Sequence, residues 1–155
     1  MRKKVIFDLD GTLALIDKRR DISIIDGKRD WDVFYDPQNI SLDQPNIPVI
    51  KMAQMLKSQG FMIVIFSGRS KATKDATTQW LDRHDVPFDV IKMRPADRSI
   101  GGHFHFMKDS DLKQYWLDDL QIKDDIFAVF DARNQVVDMW RSNGLQVFQV
   151  AEGDF

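Results

Sequence analysis

The chain alternates short, wholly apolar runs with longer stretches whose apolar positions recur at helical spacing. Val5-Ile6-Phe7, Met62-Ile63-Val64-Ile65-Phe66 and Ile126-Phe127-Ala128-Val129-Phe130 are uninterrupted apolar segments of strand length, the pattern of strands buried on both faces. Phe88-Asp89-Val90-Ile91 predicts a further strand, and Leu145 to Val150 the last. Pro48 to Gly60 reads as a helix, with proline at its start, Val49, Met52, Ala53 and Leu56 on one face, and glycine at its end. Thr73 to His84 predicts a second helix with Trp80 and Leu81 inward. Asp109 is a capping-type residue that opens a third through about Leu120, with Leu112, Tyr115, Trp116 and Leu120 along one side. Arg133 to Asn143 is the fourth, stopped by Gly144. Strands alternating with helices predict an α/β domain over 1–155, a parallel sheet with helices on both faces. Ligands of such sheets sit at the carboxyl ends of the strands.

One stretch breaks the rhythm. From Leu15 to Asn46 the chain is polar and irregular, rich in Asp and Arg, with Trp31, Phe34 and Tyr35 in its middle. A connection of that length inside a compact domain is functional or has structure of its own. A packed connection whose aromatics fill the core edge is the alternative.

The chemistry gathers where the apolar runs stop. The first ends in Asp8-Leu9-Asp10-Gly11-Thr12, the second in Ser67-Gly68-Arg69, the third in Asp131. These segments resemble, in order, the first, second and fourth motifs of the haloacid dehalogenase (HAD) superfamily, mostly phosphatases with an aspartate nucleophile and Mg²⁺. The run Asp131 to Arg141 and the tail Gln149 to Phe155 are similar to the 3′-phosphatase domain of the phage polynucleotide kinase-phosphatases, and the likeness extends through nearly the whole chain.

The resemblance implies a Rossmann-like HAD sheet with a small cap or flap inserted over about 15–46, including some helix around Trp31 to Tyr35. It implies Asp8 as nucleophile, Asp10 as acid and base, and Mg²⁺ held by Asp8, Asp10 and Asp131. Lys108 and Lys113 both stand as candidates for the third-motif lysine, with Asp109 and Lys113 matching an acidic-basic pair of the phage domain. Thr12, Ser67, Gly68 and Asp109 fall on the phosphate side, and Arg19 and Arg69 are implied as clamps on the substrate. The chain departs from the phage pattern at Ala132, where a second aspartate stands. The implied substrate is a phosphorylated nucleotide or nucleic-acid 3′ end. A 5′-nucleotidase for free monophosphates, or a non-catalytic phosphate-binding module, are the other readings.

Why an aspartate pair suits this reaction follows from charge. A carboxylate is repelled by a phosphate dianion unless a cation intervenes, and a hard cation such as Mg²⁺ takes oxygen ligands. One carboxylate must therefore meet both metal and phosphorus, while the other exchanges a proton with the bridging oxygen.

Composition narrows the partners. The 155 residues carry a net charge of −2, which argues against a broad nucleic-acid surface, because backbone binding needs clustered Lys and Arg. The local exceptions are Lys18-Arg19-Arg20 and the segment from Arg94 to Arg98. There are no cysteines and no apolar stretch of membrane-spanning length, so a cytoplasmic protein with no membrane partner is expected. No Gly-x-x-x-x-Gly-Lys-Ser/Thr loop occurs, so kinase activity is not expected. His103 and His105 lack a third ligand at matching spacing and read as core-edge or solvent-facing side chains.

Overall fold

The computed structural model describes residues 2–97 and 101–155; Arg98, from the second basic segment, lies outside them. Five parallel strands make the central sheet: β1 (Lys4–Phe7), β6 (Met62–Ser70), β7 (Val90–Arg94), β8 (Ile126–Asp131) and β9 (Val147–Gln149), in the spatial order β7-β6-β1-β8-β9. The chain goes from β1 outward to β6 and β7, then returns to lay β8 against the other edge of β1. That reversal leaves a crevice at the carboxyl end of β1.

Continuous apolar runs are required because both faces of the sheet are covered. Val5 and Phe7 of β1, with Ile63 and Ile65 of β6, join a core with the helices Ile47–Ser58 and Lys74–Arg83. Ile6, Val64 and Phe66 point the other way, onto the helices Asp109–Asp119 and Asn134–Ser142. Strand alternation thus feeds two cores at once.

Several details differ from the sequence expectation, among them the start of the last strand, at Val147 and not Leu145. β6 continues past Ser67 to Ser70, with an irregularity in its pairing to β7 between Ser67 and Ser70. β7 begins at Val90 rather than Phe88; Asp89 instead exchanges bonds with Ile63, its main-chain N–H donating to the Ile63 carbonyl and its carboxylate accepting the Ile63 N–H, both at 2.8 Å. Asp109 does not cap its helix. Lys108 holds the cap position without a side-chain bond, and the Asp109 carboxylate turns toward two arginines.

The segment after β1 has structure of its own. It contains β2 (Ala14–Leu15), which pairs antiparallel with β5 (Gln44–Pro45), the helix Asp17–Ile22, a hairpin of β3 (Ile24–Ile25) and β4 (Lys28–Arg29), and the short helix Trp31–Phe34. The hairpin turns on Asp26 and Gly27, both at positive φ, the conformation that an Asp-Gly pair adopts between paired strands. That dipeptide was a usable signal in the sequence. The expected helix near Trp31 is present and is capped by Asp30, whose carboxylate accepts the N–H groups of Asp32 and Val33.

Candidate active site

Two strand ends and one helix converge on a single ammonium group. Lys113, on the inner face of the helix Asp109–Asp119, donates from Nζ to Asp8 Oδ1 at 2.7 Å and to Asp131 Oδ2 at 3.2 Å. Lys108 is exposed at the helix start, so of the two lysines the structure brings Lys113 to the acids. Asp8 Oδ2 accepts the Thr12 hydroxyl at 3.1 Å. Asp131 is held by its neighbours as well: Oδ1 accepts the Ala132 N–H at 2.8 Å and Oδ2 the indole N–H of Trp140 at 3.0 Å.

Two carboxylates share one ammonium, so the cluster keeps unneutralised negative charge. Burial, and then the charge of Asp131, push the Asp8 carboxyl up to about 7 against the pull of Lys113. Lys113 is held charged; burial opposes this, but Asp131 and Asp8 outweigh it. Among the described residues no group of three acidic, His or Cys side chains is placed to hold a metal. The oxygen donors of Asp8 and Asp131 and their excess charge still suit a hard divalent cation that fills its shell with main-chain oxygens and water, as Mg²⁺ does.

Asp10 sits in a second cluster, in which two arginines balance two aspartates. Arg19 Nη2 donates to Asp10 Oδ1 at 2.9 Å and Arg69 Nε to the same oxygen at 2.7 Å. Behind them lies Asp43, a residue no sequence pattern singled out. Arg19 grips it with Nε and Nη2 at 2.9 and 3.1 Å, Arg69 Nη2 reaches it at 2.6 Å, and Trp80 donates to its carbonyl at 3.0 Å. Burial would raise the Asp10 carboxyl, but the charges of Arg69 and Arg19 prevail and hold it below the usual range.

Arg19 and Arg69 were expected to face the substrate. Both are fully buried, their guanidinium groups are turned to Asp10 and Asp43, and Arg19 also donates to the Phe34 carbonyl while lying 4.4 Å from that ring. They orient Asp10 from behind.

In front of these clusters opens a cavity of about 1050 Å³. Asp8, Asp10, Gly68, Asp109, Lys113 and Asp131 line it, whereas Thr12, Ser67, Arg19 and Arg69 stand behind its wall. Ser67 is buried, its Oγ accepting the Arg69 N–H at 3.1 Å. Gly68 is required by crowding: a Cβ there would lie 2.5 Å from Asp109 Oδ1. Asp109 in turn accepts from Arg94 at 2.5 Å and Arg133 at 3.1 Å. Trp31, Phe34 and Tyr35 form the far wall, with Trp31 and Tyr35 stacked at 5.9 Å. His105 also lines the cavity, its Nδ1 bonded at 3.0 Å to the Pro95 carbonyl.

The model of the polynucleotide kinase PNKP phosphatase domain matches residues 2–155. A protein of Autographa californica nuclear polyhedrosis virus, named as a bifunctional polynucleotide kinase/RNA ligase, is 31% identical over 143 residues, covering 90% of this chain and 18% of the viral protein. A chain of the Pnkp1/Rnl/Hen1 complex superposes with a TM-score of 0.78 at 31% identity, covering 100% of this chain and 48% of that one. A "predicted phosphatase" from Clostridium acetobutylicum shares the fold, with a TM-score of 0.73 at 18% identity over 96% of this chain and 84% of its own. The chain therefore spans a fifth to a half of the relatives with which it shares about a third of its residues.

Proposed function

Since the chain is a phosphatase belonging to the HAD family of polynucleotide kinase PNKP phosphatase domains, we propose that it hydrolyses a 3′-phosphate from a nucleic-acid end or a nucleotide, through an aspartyl-phosphate on Asp8. The observation that carries this reading is the Lys113 bridge between Asp8 and Asp131 on the floor of the cavity.

Asp8, Asp131 and the Asp10 main-chain carbonyl would hold Mg²⁺, which supplies the positive charge that lets a carboxylate approach a phosphate dianion. An Asp8 carboxylate oxygen attacks phosphorus as the bond from phosphorus to the ester oxygen breaks, and the departing alkoxide takes a proton from Asp10. Asp10 then accepts a proton from water, whose oxygen attacks the phosphoryl group, releasing inorganic phosphate and restoring Asp8. Lys113 holds non-bridging oxygens as a fixed charge, while the Ser67 hydroxyl, behind the cavity wall, accepts the Arg69 N–H. Arg19 and Arg69 keep Asp10 aimed rather than touching the phosphate. Asp109 holds Arg94 and Arg133 at the cavity wall.

Phosphate release from a 3′-phosphorylated oligonucleotide, a 3′-mononucleotide and 5′-mononucleotides, with and without Mg²⁺, tests the proposal. Mg²⁺-dependent release from the 3′-substrates that disappears in Asp8→Asn supports it. Preference for 5′-mononucleotides would replace it with the nucleotidase reading, and an active Asp8→Asn would remove Asp8 as nucleophile.

A further inference from the structure

The arginines of the cavity wall are not equivalent. Arg94 and Arg133 are both paired with the Asp109 carboxylate. Arg20 and Arg29, on the wall formed by the segment after β1, have no carboxylate within ion-pair distance among the described residues, although Asp32 and Asp36 line the same wall. Neither is a loose surface cation. Arg29 is fixed by its own backbone neighbourhood, Nη1 donating to the Arg20 carbonyl at 2.7 Å and to Ser23 Oγ at 2.6 Å. Arg20 lies with its guanidinium 5.5 Å from the Phe155 ring. Two half-buried guanidiniums, positioned and left without a counter-charge, make an anion receptor.

Trp31 stands beside them. It is 59% exposed, has the Arg29 guanidinium 6.0 Å from its ring, and forms part of a second, outer cavity of about 440 Å³ lined also by Ile25, Lys28, Arg29, Asp30 and Asp32. The ring therefore borders both the main cavity and a shallow outer groove of mixed charge. An aromatic face at such a position holds a base by stacking, at roughly 1–3 kcal/mol per base.

We infer that Arg20 and Arg29 bind a second phosphate, separate from the one transferred at Asp8, and that Trp31 stacks the nucleoside beyond it. The inference rests on the phosphatase reading only for which phosphate sits at Asp8. Its consequence is a ranking of substrates by chemistry. A nucleoside 3′-monophosphate offers the site a single phosphate. A nucleoside 3′,5′-bisphosphate adds the second, and a 3′-phosphorylated dinucleotide adds both the second, as an internucleotide diester, and the base for Trp31.

Binding to the Asp8→Asn protein, measured calorimetrically with Mg²⁺ for these three ligands, separates the contributions. Affinity should rise about tenfold or more from the monophosphate to the bisphosphate, a charge-assisted hydrogen bond being worth about 1.5–3 kcal/mol, and rise again for the dinucleotide. Adding Arg29→Gln or Arg20→Gln should collapse the first step and make it less salt-dependent; adding Trp31→Ala should collapse the second alone. Circular dichroism of each variant establishes folding, and Arg29→Lys should restore part of the first step. Equal affinity for all three ligands overturns the inference, as does an unchanged ranking in the folded arginine variants. Binding of this ranked kind without turnover by the unsubstituted protein would instead remove the proposed activity and leave the second-phosphate site standing.

Discussion

The indole N–H of Trp140 donates to Asp131 Oδ2 at 3.0 Å, from a side chain with no solvent exposure. The same oxygen receives Lys113 at 3.2 Å, so a core tryptophan fixes the acid proposed to hold the metal. Partners of this kind typically change metal affinity by roughly 10–100-fold. Trp140→Phe should keep most of the packing, lower thermal stability and weaken the Mg²⁺ dependence of phosphate release. A Mg²⁺ titration of activity checks it; an unchanged half-saturating concentration would reduce Trp140 to packing.

Lys113 and Lys108 give a direct contrast. Lys113→Met leaves Asp8 and Asp131 facing each other without their ammonium and should abolish turnover, at a cost on the order of 3–5 kcal/mol if both acids stay charged. Lys108→Ala alters an exposed side chain and should change kcat less than about twofold, since exposed substitutions away from special features are nearly neutral. Steady-state rates and urea unfolding of both proteins decide it.

Asp43 neutralises two buried arginines from beneath Asp10. Asp43→Ala should cost about 3–5 kcal/mol, the usual penalty for stranding a buried charge, with Asp43→Asn less severe because it retains an acceptor. Denaturant unfolding reads the difference; equal loss in both would show that the negative charge of Asp43, and not its acceptor atoms, carries its whole contribution.

The low carboxyl pKa of Asp10 depends on Arg69 and Arg19 overcoming its burial. Arg69→Gln removes one cation, so the Asp10 carboxyl rises and any limb of the pH–rate profile that reports it moves to higher pH. If Asp10 limits the rate as an acid, the alkaline limb moves; if as a base toward water, the acidic limb moves. A profile that keeps both limbs in place would exclude Asp10 from the rate-limiting proton transfer.

Ala132 is 1% exposed and follows Asp131 directly. Ala132→Asp would set a further carboxylate near the proposed metal and should lower the Mg²⁺ concentration needed for activity. No change would establish that Asp131 suffices.

The apolar runs located the central strands because a strand covered on both faces has no polar alternate positions, and Asp8, Ser67 and Asp131 were conspicuous as the polar residues that end them. Other features depended on direction rather than position. Nothing in the local pattern of Arg19 or Arg69 says whether a long guanidinium points to solvent or back toward Asp10, and only the folded chain brings Asp43 between them. Trp140 reads as core by its helical spacing, and its packing role is real; the hydrogen bond from its one polar atom has no sequence signature. The hairpin at Asp26-Gly27 went unread, because two-residue strands are too short to show alternation and the Asp-Gly turn is its only local signal.

The order β7-β6-β1-β8-β9 also has a consequence for biosynthesis. Asp8 leaves the ribosome first of its cluster, and the lysine and the second acid follow 105 and 123 positions later. β1 cannot gain both neighbours until β8 arrives. A nascent chain stalled before Lys113 therefore carries Asp10 with both of its arginines but Asp8 without its ammonium: the proton-handling half of the site is encoded first and the nucleophile's half last. Phosphatase activity should accordingly emerge only once β8 has been synthesised, with no activity from a nascent chain that ends before it.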